Sequence, residues 1–408
     1  MRLTPTLLST NSQWQTPWLS SLRLAVLQKL ARATGIPSTG PRKEIAARIS
    51  EVLDIQRAGR GEHNGLIGAT GSSPLSILSI DMGIQNLAFA HLRLDNPFSD
   101  LENGQRGGHN LPRPEITAWR RLPLSDIASL KEDCVGAILK DSKITDNGEI
   151  STISESESES EPHSNDSKIL TAQKSFSLPY YARTAHILLH TLVSQYKPTH
   201  ILIERQRFRT GSSSHVQEWT LRVGLFEAML YAALEVMKKE RGGNLADLGV
   251  HGIDPKRVVQ YWGEKEVGFT NVVDGDGEGE GGKKRRPTSR EVKKAKIELV
   301  AKWLEAELSP STSSMSTSLD VDSGARRRVD ISASDSVRSL AEAYLARLRT
   351  PAKRGLTMRG RPRGDTVAND VIKLDDLADC LLQGVTWMEW IRMREMVMRK
   401  GMAVLEEI

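Results

Sequence analysis

Apolar positions along the chain recur with two periods, one helical and one alternating, and long polar stretches separate the periodic segments. Leu24, Leu27 and Leu30 mark one face of a helix, which Gly35-Ile36-Pro37 breaks. Ser38-Thr39-Gly40 leads into a second helix carrying Ile45, Ile49 and Leu53. A Gly/Ser-rich linker, residues 59–74, separates this small helical module, residues 20–58, from a larger region at 75–398. Leu75–Leu94 is strand-like but interrupted at Asp81-Met82-Gly83, which predicts two strands joined by a tight turn. Ile116–Leu122 predicts a third strand. Tyr180–Tyr196 reads as a helix ended by Pro198, and His200–Ile203 as a short strand finishing at Glu204. Val216–Glu240 predicts a long helix with Trp219, Val223, Phe226, Leu230 and Ala233 on its apolar side. Leu248–Val259 reads as a strand and turn, Glu291–Glu307 as a helix, and Asp375–Met393 as the last clear helix.

Residues 141–168, centred on SESESESE, hold too few hydrophobic residues to pack and are expected to be disordered. Asp274–Arg290, Pro310–Ser336 and Pro351–Asp365 read as loop insertions. Without the insertions the order is three strands, a helix, a strand, a helix, a strand and closing helices. Antiparallel strands first and alternating elements later imply a mixed α/β domain.

Composition narrows the class. With 408 residues and 38% hydrophobic positions, the chain can bury one large core or two small ones, but not all of itself. Mean hydropathy is -0.37, and no apolar run approaches the roughly eighteen residues of a membrane span. Cys134 and Cys380 show neither metal-ligand spacing nor a disulfide framework, which suits a reducing compartment. The net charge of +5 is unevenly distributed: residues 1–60 hold nine Lys/Arg against Glu44, Glu51 and Asp54. A polyanion partner fits this basic segment, and so does a merely soluble basic protein. The first 43 residues lack acids and are rich in Ser, Thr and Arg, so residues 1–19 read as a transit peptide or a disordered lead.

Three segments carry candidate chemistry. Asp81 ends an apolar strand within ILSIDMGIQNLAFA, where a small neighbour leaves its carboxylate open to a ligand. A turn-capping aspartate would have the same pattern. Glu204 follows HILI and precedes Arg205, Gln206, Arg207 and Arg209. A salt-bridged strand-end carboxylate beside a solvated loop is the plainer alternative. In LDDLADCLL, Asp376 and Asp379 share a helical face, while Asp375 and Asp379, four apart, can also converge. Two like charges about 4 Å apart repel by roughly 4 kcal/mol at an effective dielectric near 20. Gathered carboxylates therefore call for raised pKa values or a divalent cation, and oxygen-only ligands select Mg²⁺ or Mn²⁺ over zinc.

Taken in order, IDMGIQNLAFA, ILIERQRFR and DDLADCLLQG resemble the RuvC-type resolvases, and most closely the fungal mitochondrial Holliday-junction resolvases. The resemblance covers about residues 20–55 and 75–395 apart from the insertions, and the first two helices resemble a SAP-type DNA-binding module. It implies a ribonuclease H-like mixed sheet flanked by helices, and a homodimer placing paired nicks across a four-way DNA junction in mitochondria. It also implies that Asp81 bridges two metal ions, that Glu204 ligates one, and that Asp379 with Asp376 completes the site. Junction contacts would come from Arg205, Gln206, Arg207 and Arg209, with Lys43 on the SAP-like helix. Lys283–Arg286 and Lys293–Lys296 read either as further phosphate contacts or as solvated basic loops. A non-catalytic DNA-binding scaffold of the same fold is the main alternative. A sugar-kinase-like ATPase lacks its second Gly-rich loop here, and a transposase-like nuclease would share the acids.

Overall fold

The computed structural model describes residues 16–61, 74–99, 112–127, 177–206, 218–242, 245–265, 288–309, 327–349, 371, 373–406 and 408. Residues 1–15, the linker beyond 61, the tract at 141–168, Pro351–Asp365, Arg207, Arg209 and the Trp219 side chain lie outside the described residues, as does most of Asp274–Arg290.

Six strands form one mixed sheet in the order β5-β4-β1-β2-β3-β6. They are β1 (Leu75–Asp81), β2 (Leu87–Leu94), β3 (Glu115–Leu122), β4 (His200–Glu204), β5 (Gly249–Ile253) and β6 (Asp330–Ile331). β1, β2 and β3 run antiparallel in sequence, whereas β4 lies parallel to β1 and β5 parallel to β4. The expected two strands around Asp81, the third at Ile116–Leu122 and the strand finishing at Glu204 are all present. Three antiparallel strands, then parallel strands reached through helices, make the ribonuclease H-like mixed sheet.

Strand alternation divides the side chains between two cores. Leu78, Ile80, Ile201 and Ile203 point towards α3 (Leu178–Tyr196) and α4 (Glu218–Arg241). Ile77 and Leu202 point the other way, into a core with α5 (Pro255–Lys265), α6 (Ser289–Leu308), α7 (Asp335–Arg349) and α8 (Leu374–Lys400). Period two therefore puts Asp81 and Glu204 on the α8 side. α8 approaches the sheet closely because it has Gly384 at the crossing, where a Cβ would sit 2.5 Å from Leu92. The neighbouring Gln383 donates to Ser79 Oγ at 3.0 Å, and Trp119 Nε1 donates to the Leu377 carbonyl at 3.0 Å. These contacts set both the height and the rotation of α8 over β1.

Two expectations need correction. Pro310–Ser336 is not wholly an inserted loop: Val329 is buried, β6 pairs with β3, and α7 begins at Asp335. Its Ser/Thr-rich composition masks the short apolar stretch that β3 recruits. Leu248–Val259 is a strand followed by the first turns of α5, whose Val258, Tyr261 and Trp262 are buried. The turn residues there begin a helix because its apolar face has a core to enter.

The N-terminal helices α1 (Leu24–Ala33) and α2 (Arg42–Gly61) form a third core with Met393 and Val397 at the far end of α8 and with Val404 just beyond it. Gly35, at φ 70°, ends α1: its N–H donates to Arg32 O, and Ile36 N–H donates to Ala31 O at 2.7 Å. A Cβ on Gly35 would lie 2.1 Å from the Trp390 ring. Arg257 Nη1 donates to Gly35 O at 2.6 Å and Arg394 Nε to Thr34 O at 2.8 Å, docking this turn on α5 and α8. Among the described residues no helix is long and apolar enough to cross a membrane.

Candidate active site

Parallel pairing brings two strand ends together. Ile80 is in register with Ile203, so the next residues, Asp81 and Glu204, leave the sheet side by side. α8 then delivers Asp379 from its second turn, above the same edge. One carboxylate oxygen from each of Asp81, Glu204 and Asp379 lies within 4.8 Å of the others.

The electrostatics follow from this crowding. Asp81 is pushed well above its usual range by burial, then by the charges of Glu204, Asp379 and Asp376. Burial, with Asp379 next in weight, raises Glu204 to about 7, and Glu204 shares a hydrogen bond with Asp81. Asp379 is also raised by burial, although Lys296 opposes the shift. Acids this close cannot all ionise cheaply without an added positive charge.

The two remaining aspartates have different settings. Asp376 accepts from Arg121 Nε at 3.2 Å, yet its carboxyl is still raised to about 6 by burial and by Asp375. Its charge reaches Asp81, but it is not one of the three clustered ligands. Asp375 instead pairs with Lys293 at 2.5 Å, and that ammonium outweighs burial and holds its pKa down. Both carboxylates sit in the first turn of α8, where the helix dipole favours negative charge.

Two cations complete the site. Lys296, buried on α6, pairs with Asp379, so Lys293 and Lys296 face the acids from a helix and are not a solvated loop. Arg121 was not singled out from sequence. It lies two residues beyond Trp119 on β3, which places it on the α8 face of the sheet. A buried Trp followed at that spacing by a cation was the available signal. Arg121 Nη2 also donates to Asn86 Oδ1. The D-x-G-x-x-N pattern thereby acquires a role: a Cβ on Gly83 would meet the Asn86 carbonyl at 2.8 Å. Only a glycine lets the turn fold back far enough to seat Asn86 beside Arg121.

Of the expected DNA-contacting residues, Arg205 donates its backbone N–H to Ile253 O at 2.8 Å and leaves its side chain exposed. Gln206 turns inward: Nε2 donates to Met82 O at 3.3 Å, and its backbone N–H donates to Glu227 on α4 at 3.2 Å. It ties the exits of β1 and β4 together. Lys43 is exposed in the first turn of α2, on the module docked to the opposite end of α8 from the acids.

Carboxylates at the ends of β1 and β4 and on the last long helix, over a sheet of this order, define an acid-cluster site of the ribonuclease H-like class. A profile of the family described as mitochondrial resolvase Ydc2 / RNA splicing MRS1 matches residues 77–397, and the chain belongs to that family. The mitochondrial cruciform cutting endonuclease 1 of Saccharomyces cerevisiae is 24% identical over 328 residues, spanning 79% of this chain and 70% of that protein. Its Schizosaccharomyces pombe namesake is 36% identical over 80 residues, 18% of this chain and 29% of that protein. Among solved structures, the yeast mitochondrial Holliday junction resolvase Ydc2 is 16% identical with a TM-score of 0.47, the match covering 94% of this chain and 98% of that one. RuvC from Thermus thermophilus gives 11% identity and a TM-score of 0.22, covering 67% and 96%.

Proposed function

We propose that the chain is a Mg²⁺-dependent endonuclease that resolves four-way DNA junctions by paired phosphodiester hydrolysis in mitochondria, working as a homodimer. The observation carrying this reading is the trio of buried Asp81 and half-buried Glu204 and Asp379, with their oxygens within 4.8 Å. The family and its cruciform-cutting mitochondrial relatives supply the substrate class and the compartment.

The donor set fits a hard divalent cation: every ligand is a carboxylate oxygen, and burial has raised all three pKa values. Mn²⁺ fits the same donors. Such an ion supplies stabilisation of charge on the phosphate and leaving oxygen, and lowers the pKa of an attacking water. Asp81 and Glu204 would hold it from the sheet, with Asp379 from α8. Lys296 opposes the rise in the Asp379 pKa, and Arg121 holds Asp376, the fourth acid, whose charge acts on Asp81. Gln206 acts as a positioning residue, fixing the Glu204 strand exit against the Asp81 exit. The exposed Arg205 and the following Arg207 and Arg209 would take the flanking phosphates, with Lys43 extending the footprint from the SAP-like module.

The family description also names RNA splicing, which makes a non-catalytic nucleic-acid scaffold the competing reading. Keeping these three acids together favours cleavage, because a scaffold gains nothing from that electrostatic cost. In the full chain, Asp81→Asn is expected to abolish paired nicking of a synthetic four-way junction in Mg²⁺ while leaving junction binding intact or tighter. A variant that still cuts rejects the assigned site.

A further inference from the structure

Beside the N-terminal module two arginines are withdrawn from solvent without an acid to oppose them. Arg394, on α8, is only 8% exposed, and Arg257 lies half-buried in the first turn of α5. Each uses one nitrogen to hold the α1 turn, at Thr34 O and Gly35 O respectively. Neither forms an ion pair among the described residues. The charges acting on them are positive: burial and Arg257 bring Arg394 down to about 10, and burial and Arg205 lower Arg257. Burial, then His200, Arg394 and Lys238, push the neighbouring His251 down to about 3.

The same patch holds polar atoms that meet no partner. Trp387 Nε1, Trp390 Nε1, Arg257 Nε and His251 Nε2 are all buried and without a hydrogen bond among the described residues. These groups are contiguous. The His251 and Trp387 rings lie 4.3 Å apart and the Trp387 and Trp390 rings 6.2 Å apart. Arg394 Cζ is 5.1 Å from the Trp387 centroid, and Arg257 Cζ is 5.6 Å from that of Trp390. Buried polar groups are normally paired, and buried charges more strictly so. Water satisfies an N–H group, but it leaves two guanidiniums without a counter-charge. An anion satisfies both.

The surrounding strand leaves room for a close approach. β5 is the edge of the sheet and has glycine at two of its five positions, Gly249 and Gly252. A Cβ on Gly249 would meet His251 Nε2 at 2.8 Å, and one on Gly252 would meet Tyr231 Oη at 2.7 Å and Arg205 Cγ at 3.0 Å. Glycine in a strand marks a place where another backbone comes close. Arg205 follows Glu204 directly, and its charge reaches Arg257, so positive potential continues from the acid cluster to the α1 turn.

We propose that Arg257 and Arg394, with Trp387, Trp390 and His251 around them, form an oxyanion site for phosphate, filled by a backbone phosphate of the DNA arm that runs from the acids to the N-terminal module. A guanidinium fork matches the oxygens of a phosphate better than a spherical halide. The α1 turn orients both forks, so module, α5 and α8 build the site together. That gives the docking of the module a role in holding DNA. The backbone source rests on the proposed junction binding, whereas the oxyanion site stands without it.

The test uses the full chain in chelator. Calorimetric titration with inorganic phosphate at constant ionic strength should show binding that is weakened roughly tenfold or more in Arg394→Gln and in Arg257→Gln. Far-UV dichroism reports whether each variant folds. If one does not, Arg394→Lys and Arg257→Lys keep the charge, lose the fork, and should bind phosphate several-fold more weakly. For junction binding, the slope of log affinity against log salt should be smaller by about 1 in the double Gln variant, with four-way junction and plain duplex weakened alike. A wild type that binds no inorganic phosphate, or variants that bind it as wild type does, overturns the site. Variants that lose phosphate but keep the wild-type slope assign the site to a free oxyanion and overturn the backbone contact. A chain that binds phosphate here but binds no junction leaves the site standing and overturns the resolvase reading instead.

Discussion

Replacing Glu204 with glutamine removes one charge from the acid cluster while keeping nearly the same shape, so it measures what that charge costs the fold. In the native state burial and Asp379 raise the carboxyl from 4.5 to about 7. A carboxyl whose folded pKa lies above its unfolded one binds a proton more tightly when folded. Its stabilising contribution is complete below about pH 4.5 and is lost as pH rises through about 7. At roughly 1.4 kcal/mol per pKa unit, that loss is about 3 kcal/mol. Without divalent ions, wild type should therefore lose at least this much stability between pH 5 and pH 8, whereas Glu204→Gln should lose less by about this amount, its remaining fall coming from the raised Asp81, Asp379 and Asp376. At pH 8 a divalent ion at about 100 times its Kd should return roughly 2.7 kcal/mol to wild type. The variant, lacking a ligand, should gain far less. Urea unfolding at both pH values, in chelator and in Mn²⁺, reads all four quantities. If Glu204→Gln in chelator shows the wild-type fall in stability with pH, or responds to Mn²⁺ like wild type, the cluster is not the electrostatic liability described.

Lys296→Met removes the ammonium that opposes the raised acids, and should cost about 3–5 kcal/mol in chelator at pH 8, as breaking a buried pair does. Its stability gain on adding Mn²⁺ should exceed that of wild type; an equal gain in the two proteins rejects Lys296 as a counter-charge. Gly35→Ala combines a left-handed backbone with a Cβ driven into Trp390, and should destabilise by about 2–4 kcal/mol in urea unfolding. A change under about 0.5 kcal/mol would mean that the α1 turn is not docked on α8 as described.

Much of this architecture was legible because it rests on local chemistry. Alternating apolar residues around Asp81, the run HILI before Glu204 and the helical spacing of Leu377, Leu381 and Leu382 reported burial directly. Strand and helix periods are set by backbone geometry, so a sequence that buries one face must display them. The three acid-bearing segments were found the same way, and their order carried the family resemblance. The short strand β6 and helix α7 went unassigned. A two-residue strand has no period, and the apolar residues of α7 follow a Ser/Thr-rich stretch that reads as loop.

What the tertiary structure decided is which charges meet. Local spacing left Asp375 and Asp376 as rivals. Lys293, on another helix, claims Asp375, and Arg121, on β3, orients Asp376 beside the cluster. Lys296 is far in sequence from the clustered acids, but α6 packs against α8 and buries its ammonium on Asp379. The linker between the N-terminal helices and the sheet suggested a tethered module, yet Trp390, Met393 and Val397 give those helices a surface on which to dock. Likewise α4 reads as a one-sided amphipathic helix until the fold shows which of its apolar residues the sheet leaves uncovered. Periodicity along a chain records that a face is buried, but a partner from another element is a through-space fact, which only the packed chain determines.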